Sequence, residues 1–288
     1  MISGTVEPAE DRLARLLRGT GAVLVRSRSS ILTRGYVQLL TRALPGRELD
    51  ITDRSGHVQR IDTRDQMGAN ALVGRYRLPD EVVAQVAPGD WVIDCGANIG
   101  IITSQLCAAV GPSGVVWACE PVPANVARLQ DLGSRNGLAQ LRVLPCAIGA
   151  SPGTVTIGLP PPGRSGWASI TKSFGMSGHT EVVVDTLDRL AGDGQPRGRL
   201  RLVKIDVEGY EFEVIDGATD LLASFHPLIY CEFNDVLLRD RGKSSEQLLA
   251  RFSDLGYHPA VASTSVAARM HATVVNLLLH HGPPARLG

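Results

Sequence analysis

The chain has 288 residues, 44% of them hydrophobic and 20% charged, and its 29 basic residues balance 29 acidic ones. That length holds one large α/β domain or a core domain with a smaller addition. Zero formal charge gives no electrostatic footprint for nucleic acid or for an anionic membrane. Five scattered cysteines (Cys95, Cys107, Cys119, Cys146, Cys231) include no Cys-x-x-Cys pair. They read as small buried apolar side chains in a reducing cytoplasm rather than as a disulfide frame or metal cluster. No secretory signal pattern opens the chain, and no apolar run approaches the ~18–20 residues of a membrane span. A soluble cytoplasmic protein without stable membrane insertion is expected.

Residues 10–44 predict one or two amphipathic helices, with Leu13, Leu16, Leu17, Val37, Leu39, Leu40 and Leu44 at helical spacing among arginines. Residues 47–64 alternate polar and apolar around Ser55-Gly56, a hairpin signal. Pro79 and Pro88-Gly89 frame a short helix. Residues 1–75 are therefore expected to form a helical and hairpin cap, and 76–288 the main domain.

From Gly89 strands and helices alternate: strand 91–94, a helix to about 110, strand 115–119, helix 123–136, strand 141–146. That rhythm predicts a parallel sheet with right-handed crossovers. Thr154–Ile157 and Glu181–Val184 predict an added strand pair around a Gly/Pro/Ser-rich loop at 158–180, which is long enough to be functional. Together with the N-terminal helices, it is expected to act as a lid. The alternation resumes with strand 201–205, helix 210–223, strand 228–233 and helix 244–255. An antiparallel pair at about 257–263 and 273–280 completes the sheet.

The first chemical signal is Asp94-Cys95-Gly96-Ala97-Asn98-Ile99-Gly100, a buried strand running into an acid, a tight turn and a helix. Such a turn holds a nucleoside-type cofactor at the carboxyl edge of a sheet. Gly96 and Gly100 are expected to admit a ligand close to the backbone. The dinucleotide fingerprint fails, because Asn98 and Ile101 stand where it needs glycines. An acid two residues before the first glycine suits a cofactor with a cationic end, such as S-adenosylmethionine. Glu120, followed by Pro121, lies 24 residues after Gly96 at the next strand end, where a ribose-binding acid belongs. The third strand ends in Cys146-Ala147-Ile148-Gly149, small and apolar enough for an adenine face.

A fourth strand ends in Lys204-Ile205-Asp206-Val207-Glu208-Gly209-Tyr210-Glu211. It is expected beside strand 91–94, with Asp206 facing the reactive end of the cofactor. Glu211 reads better as a first-turn helix acid. Asp206, Glu208, Glu232 and Asn234 are hard oxygen ligands near one edge, but their spacing forms no tight ligand set, and no metal is expected.

The order VIDCGANIG, WACEPVPAN, LPCAIGA, WASI, VDTLD, LVKIDVEGYE and YCEFN resembles the FkbM family of S-adenosylmethionine-dependent methyltransferases, over about residues 70–235. The resemblance implies a class I methyltransferase fold, a seven-stranded, mostly parallel sheet with helices on both faces and an antiparallel final strand. It implies methylation of hydroxyls on polyketides, sugars or lipid-linked glycans. By position, Asp94, Gly96, Ala97, Asn98 and Gly100 would lie along the methionine part of the cofactor. Glu120 and Pro121 would lie at the ribose, Cys146 and Ala147 at the adenine, and Asp206 and Glu208 near the substrate. Trp167 and Ser169 match a family segment in the inserted loop, and they and Glu232 are assigned to the substrate. The catalytic base is expected to be Asp206, with His179 the alternative, and Glu208 is a further catalytic residue. Two rivals stand beside this reading: a nicotinamide-dependent oxidoreductase, and a non-catalytic scaffold. The present Asp94, Gly96, Gly100 and Glu120 weigh against the scaffold. The acceptor and the oligomeric state, a homodimer included, are not legible in the sequence.

Overall fold

In the computed structural model residues 48–74, 76–159, 177–194, 196–260 and 274–283 are described, with Tyr36 and Leu39 in helical conformation. The remaining expectations for 10–44, and those for Trp167 and Ser169, lie outside the described residues. The hairpin is present as β1 (Glu48–Thr52) and β2 (Val58–Asp62), antiparallel with Leu49 opposite Ile61. Asp53 builds its turn, accepting hydrogen bonds from the amides of Ser55 and His57 at 2.8 and 3.1 Å. Leu49, Ile51 and Ile61 bury against Ala69 and Leu72 of α1 (Gln66–Leu72) to form a small core of their own. A short α2 (Asp80–Val83) follows Pro79.

The main sheet has seven strands: β3 (Trp91–Cys95), β4 (Val115–Cys119), β5 (Leu141–Leu144), β9 (Leu200–Ile205), β10 (Leu228–Asn234), β11 (Tyr257–Pro259) and β12 (Val274–His281). Their order is β11-β12-β10-β9-β3-β4-β5, with β12 antiparallel to both neighbours and the other pairings parallel. This is the mostly parallel α/β sheet expected. α3 (Ile101–Val110) and α4 (Pro123–Asn136) cross over after β3 and β4. All five residues of β3 are buried, as a central strand covered on both faces requires. One face packs Trp91, Trp117, Val203 and Ile229, and the other Val92, Val116, Leu106 and Leu202.

The chain order reverses between β3 and β9. There the carboxyl ends of β4 and β9 flank that of β3, and a crevice opens beyond them.

The 141–146 strand is shorter than the sequence predicts. β5 stops at Leu144, and Ala147–Ile148 (β6) joins a separate three-stranded sheet. There β8 (Gly178–Asp185) pairs parallel with β6 and antiparallel with β7 (Gly153–Leu159). The added strand pair is thus present but outside the main sheet. The single helix expected at 210–223 is two, α6 (Glu211–Asp216) and α7 (Thr219–Phe225), and α5 (Leu187–Gly192) precedes β9. The VDTLD segment explains the break. The Asp188 carboxylate accepts from the amides of Leu221 and Asp220 at 2.8 and 3.2 Å, anchoring the start of α7 to α5. Between β10 and β11 lie α8 (Asp235–Arg239) and α9 (Ser245–Asp254).

Candidate active site

A cleft of about 880 Å³, counted to its open mouth, lies over the carboxyl ends of β3, β4, β9 and β10. Gly96, Asn98, Glu120, Pro121, Cys146 and Ala147 reach it from one side, and Asp206, Glu208 and Glu232 from the other. These nine sequence-predicted residues come together. Met67, Tyr76, Asn125, Ile157, Val207 and Tyr210 also line it and were not singled out from sequence.

Asp94 stands elsewhere than expected. It is 0% exposed, and its positive partner is the protein's own Lys204, Nζ to Oδ1 at 3.1 Å. The Thr103 hydroxyl donates to its other oxygen at 2.7 Å. Asp94 therefore supports the floor of the site without lining it. Lys204, 2% exposed, also donates to the carbonyls of Cys95 and Gly96 at 3.2 and 2.8 Å and lies 3.7 Å from Asp206 Oδ2. Burial opposes its charge, but Asp94 and Asp206 more than offset this and hold the ammonium well above its usual range. One lysine thus fixes the shape of the turn and the position of the acid across from it.

The glycines are required for a different reason from the one expected. Gly96 has φ +77°, and a Cβ there would sit 1.9 Å from the Asp206 carbonyl oxygen. At Gly100, φ +90°, a Cβ would press on Leu129 and Leu132 of α4 at 3.0 Å. Both serve close packing within the protein, and of the two only Gly96 borders the cleft. Ala97 is buried with Ala118 and Leu129 and is not a lining residue. Asn98 takes φ +52°, a conformation Asn tolerates, and its side chain accepts from the Ile99 amide at 2.7 Å.

Glu120 is 4% exposed and ties the turn to β4, accepting from the amides of Asn98 and Val122 at 2.8 and 2.9 Å and from Asn125 at 3.2 Å. Burial pushes its carboxyl up, and the two amide bonds pull it partly back. Oε1 takes two of these bonds, from Val122 and Asn125, and Oε2 one, from Asn98, so Oε2 keeps a lone pair for a ligand hydroxyl.

At the other end, Tyr76 donates its hydroxyl to Asp206 Oδ2 at 3.0 Å. Burial and then the Asp206 charge hold that phenol well above its ordinary pKa, so it stays a donor. Glu208, at φ +55°, and Gly209, at +95°, make a tight left-handed turn. Glu211 holds it, accepting from the amides of Val207 and Gly209 at 3.3 and 3.1 Å. It is a first-turn acid, as expected, but fully buried, and burial pushes it up to about 7. Asn234 caps α8 through the Leu237 amide, away from the cleft. Among the described residues no group of three His, Cys, Asp or Glu is arranged to hold a metal ion.

His179 stands away from the place expected for a catalytic base. It lies on β8 opposite Gly158, exposed, and does not line the cleft.

Residues 94–259, more than half of the chain, match the sequence profile of the Methyltransferase FkbM domain. The chain belongs to the FkbM methyltransferase family. Methyltransferase sdnD of Sordaria araneosa is 27% identical over 166 residues, covering 48% of this chain and 64% of that protein. Methyltransferase 1 of Beauveria bassiana (strain ARSEF 2860) is 24% identical over 155 residues, covering 48% and 62%. This FkbM chain therefore spans just under two thirds of the length of those relatives. The crystal structure of Methyltransferase FkbM from Methylobacillus flagellatus KT superposes with a TM-score of 0.44 at 17% identity, covering 91% of this chain and 60% of that one.

The cofactor of the FkbM family is S-adenosyl-L-methionine, and the donor set suits it. Ala147, Ile148 and Ile157 offer an apolar wall for a flat base, Glu120 Oε2 offers an acceptor for a ribose hydroxyl, and the carboxylates at the far end suit a cation.

Proposed function

We propose that this chain is an S-adenosylmethionine-dependent O-methyltransferase that acts on a hydroxyl of a secondary metabolite or a glycan. The observation that carries this is one cleft with a buried ribose-type acid, Glu120, at one end and Asp206, Glu208 and Glu232 at the other. The names of the fungal relatives, both methyltransferases, support the reaction class. When bound, the cofactor supplies an activated methyl group on a positively charged sulfur. The protein's task is then to hold acceptor and donor in line, a contribution of roughly 7–11 kcal/mol. Glu120 and the Gly96–Asn98 backbone would fix the nucleoside and amino-acid parts. Asp206, held by Tyr76 and Lys204, would orient the acceptor. A carboxylate that removes the hydroxyl proton adds about 10²–10⁴ in rate, and Asp206, Glu208 and Glu232 all border that end. Trp167 and Ser169 are assigned to the acceptor from sequence alone. We take 1–75 as a cap and 76–288 as the catalytic domain, supported by the separate small core of β1, β2 and α1. Met67 and Tyr76 then mean that the cap and its boundary segment help to enclose the cleft.

The test is transfer from a methyl-deuterated donor to a panel of sugars and polyketide alcohols, each paired with its amino analogue, read by mass spectrometry. Label on oxygen is the expected result. Label on the amines alone contradicts O-methylation, and hydride exchange with a nicotinamide cofactor contradicts the class.

A further inference from the structure

Glu232 is the least engaged carboxyl of the cleft. β10 runs parallel to β9 with Cys231 opposite Ile205, so Glu232 and Asp206, one residue further, stand side by side at the carboxyl edge. Both line the cleft. Asp206 already accepts from Tyr76 and lies 3.7 Å from the Lys204 ammonium, whose nearest carboxylate is Asp94 at 3.1 Å. For the Glu232 carboxyl, no hydrogen bond or ion pair is formed among the described residues. The groups around it are Lys204 from β9 and Asp206 just beyond it, Glu208 from the turn, Glu211 from α6 and Tyr76 from the segment before α2. Tyr230 and Cys231 lie on its own strand. Burial first, then repulsion by Asp206, Glu208 and Glu211, pushes the carboxyl up to about 9, against the pull of Lys204. These surroundings favour its protonated form.

We propose that Glu232 is the counter-ion of the methyl donor, releasing its proton when a cation enters the cleft and regaining one when that charge is consumed. This rests on the cleft being the S-adenosylmethionine site. The charge balance closes within it. As the acceptor oxygen bonds to the methyl carbon, the carbon–sulfur bond breaks and its electron pair stays on sulfur, which becomes neutral. The hydroxyl proton is left over. Ionised Glu232 takes it, and the cleft returns to the charge it held before the donor bound. Glu232 thereby distinguishes the charged donor from its neutral product, and its reprotonation favours product departure.

The experiment is calorimetric titration of the full chain with S-adenosylmethionine and with S-adenosylhomocysteine from pH 6 to 9.5, in buffers of different ionisation enthalpy. The proteins are wild type, Glu232→Gln and Glu232→Asp, with melting curves to establish folding. A cation beside a carboxyl moves its pKa by about 1–3 units. Donor binding to wild type should therefore release a proton near neutral pH, and its Kd should tighten at least about tenfold more across the range than that of Glu232→Gln. The product should release none, and Glu232→Asp, which keeps a titrating carboxyl, should retain the release. Equal proton release by wild type and Glu232→Gln overturns the proposal, as does donor binding to wild type with no release. Failure of both ligands to bind at any pH overturns the cofactor reading itself, a distinct outcome.

Discussion

At the scale of single residues, Lys204 organises the site. A lysine inside the apolar strand Leu200–Ile205 cannot be buried without a counter-charge, and Asp94, its register partner on β3, supplies it. That much was legible: one of only three lysines in the chain stands mid-strand, and Asp94 needed a cation. The two strands were expected side by side, but the register that sets Asp94 opposite Lys204 was not legible, so the cation was expected from a ligand. Lys204→Met leaves Asp94 buried without a counter-charge, with only the Thr103 hydroxyl on it, and should cost about 3–5 kcal/mol of stability in denaturant unfolding. Adding Asp94→Asn should restore part of that loss. Glu211 gives a pH-dependent counterpart. Its folded pKa of about 7 lies above the ordinary 4.5. Its stabilising contribution is therefore complete below about pH 4.5 and is lost as pH rises through about 7. Between pH 5 and 8 the unfolding free energy of wild type should fall by up to about 3 kcal/mol more than that of Glu211→Gln. Equal slopes would contradict the assignment.

At the scale of elements, the turn after β3 is a protein-packing device as much as a ligand cradle. Gly96 brings that turn against the Asp206 carbonyl, and Glu120 fastens it through the Asn98 amide. Gly96→Ala forces two strand ends apart and should abolish cofactor binding with a large loss of stability. Gly137→Ala is the control: it has a similar φ of +61° but open space around it. It should cost only ~1–2 kcal/mol and leave binding intact, as read by melting and calorimetry. The glycine-asparagine-glycine pattern was visible in the sequence, but what each glycine meets was not. Nor were Met67 and Tyr76, since a methionine in a short helix and a tyrosine before Pro79 carry no local mark of a site some 130 residues away. The hairpin that precedes them is locked to α4 by Asn136, which accepts from the Val58 amide and donates to its carbonyl at 2.7 and 2.8 Å. That contact is tertiary, and no pattern in either segment announces it.

At the scale of the whole molecule, alternating apolar strands and amphipathic helices were enough to foretell a parallel sheet, and the ordered motifs foretold its seven strands and reversed final one. The separate sheet of β6, β7 and β8 was less legible, because two residues such as Ala147–Ile148 carry no periodicity of their own. The reversal of strand order between β3 and β9 brings residues 94–100, 120, 206–208 and 232 to one edge, and the functional account depends on that convergence. The most direct test is a crystal structure of the chain with S-adenosylhomocysteine. The account predicts the ribose on Glu120, the adenine against Ala147, Ile148 and Ile157, and the sulfur toward Asp206 and Glu232. A ligand bound elsewhere, or turned so that the adenine faces Asp206 and Glu232, would contradict it.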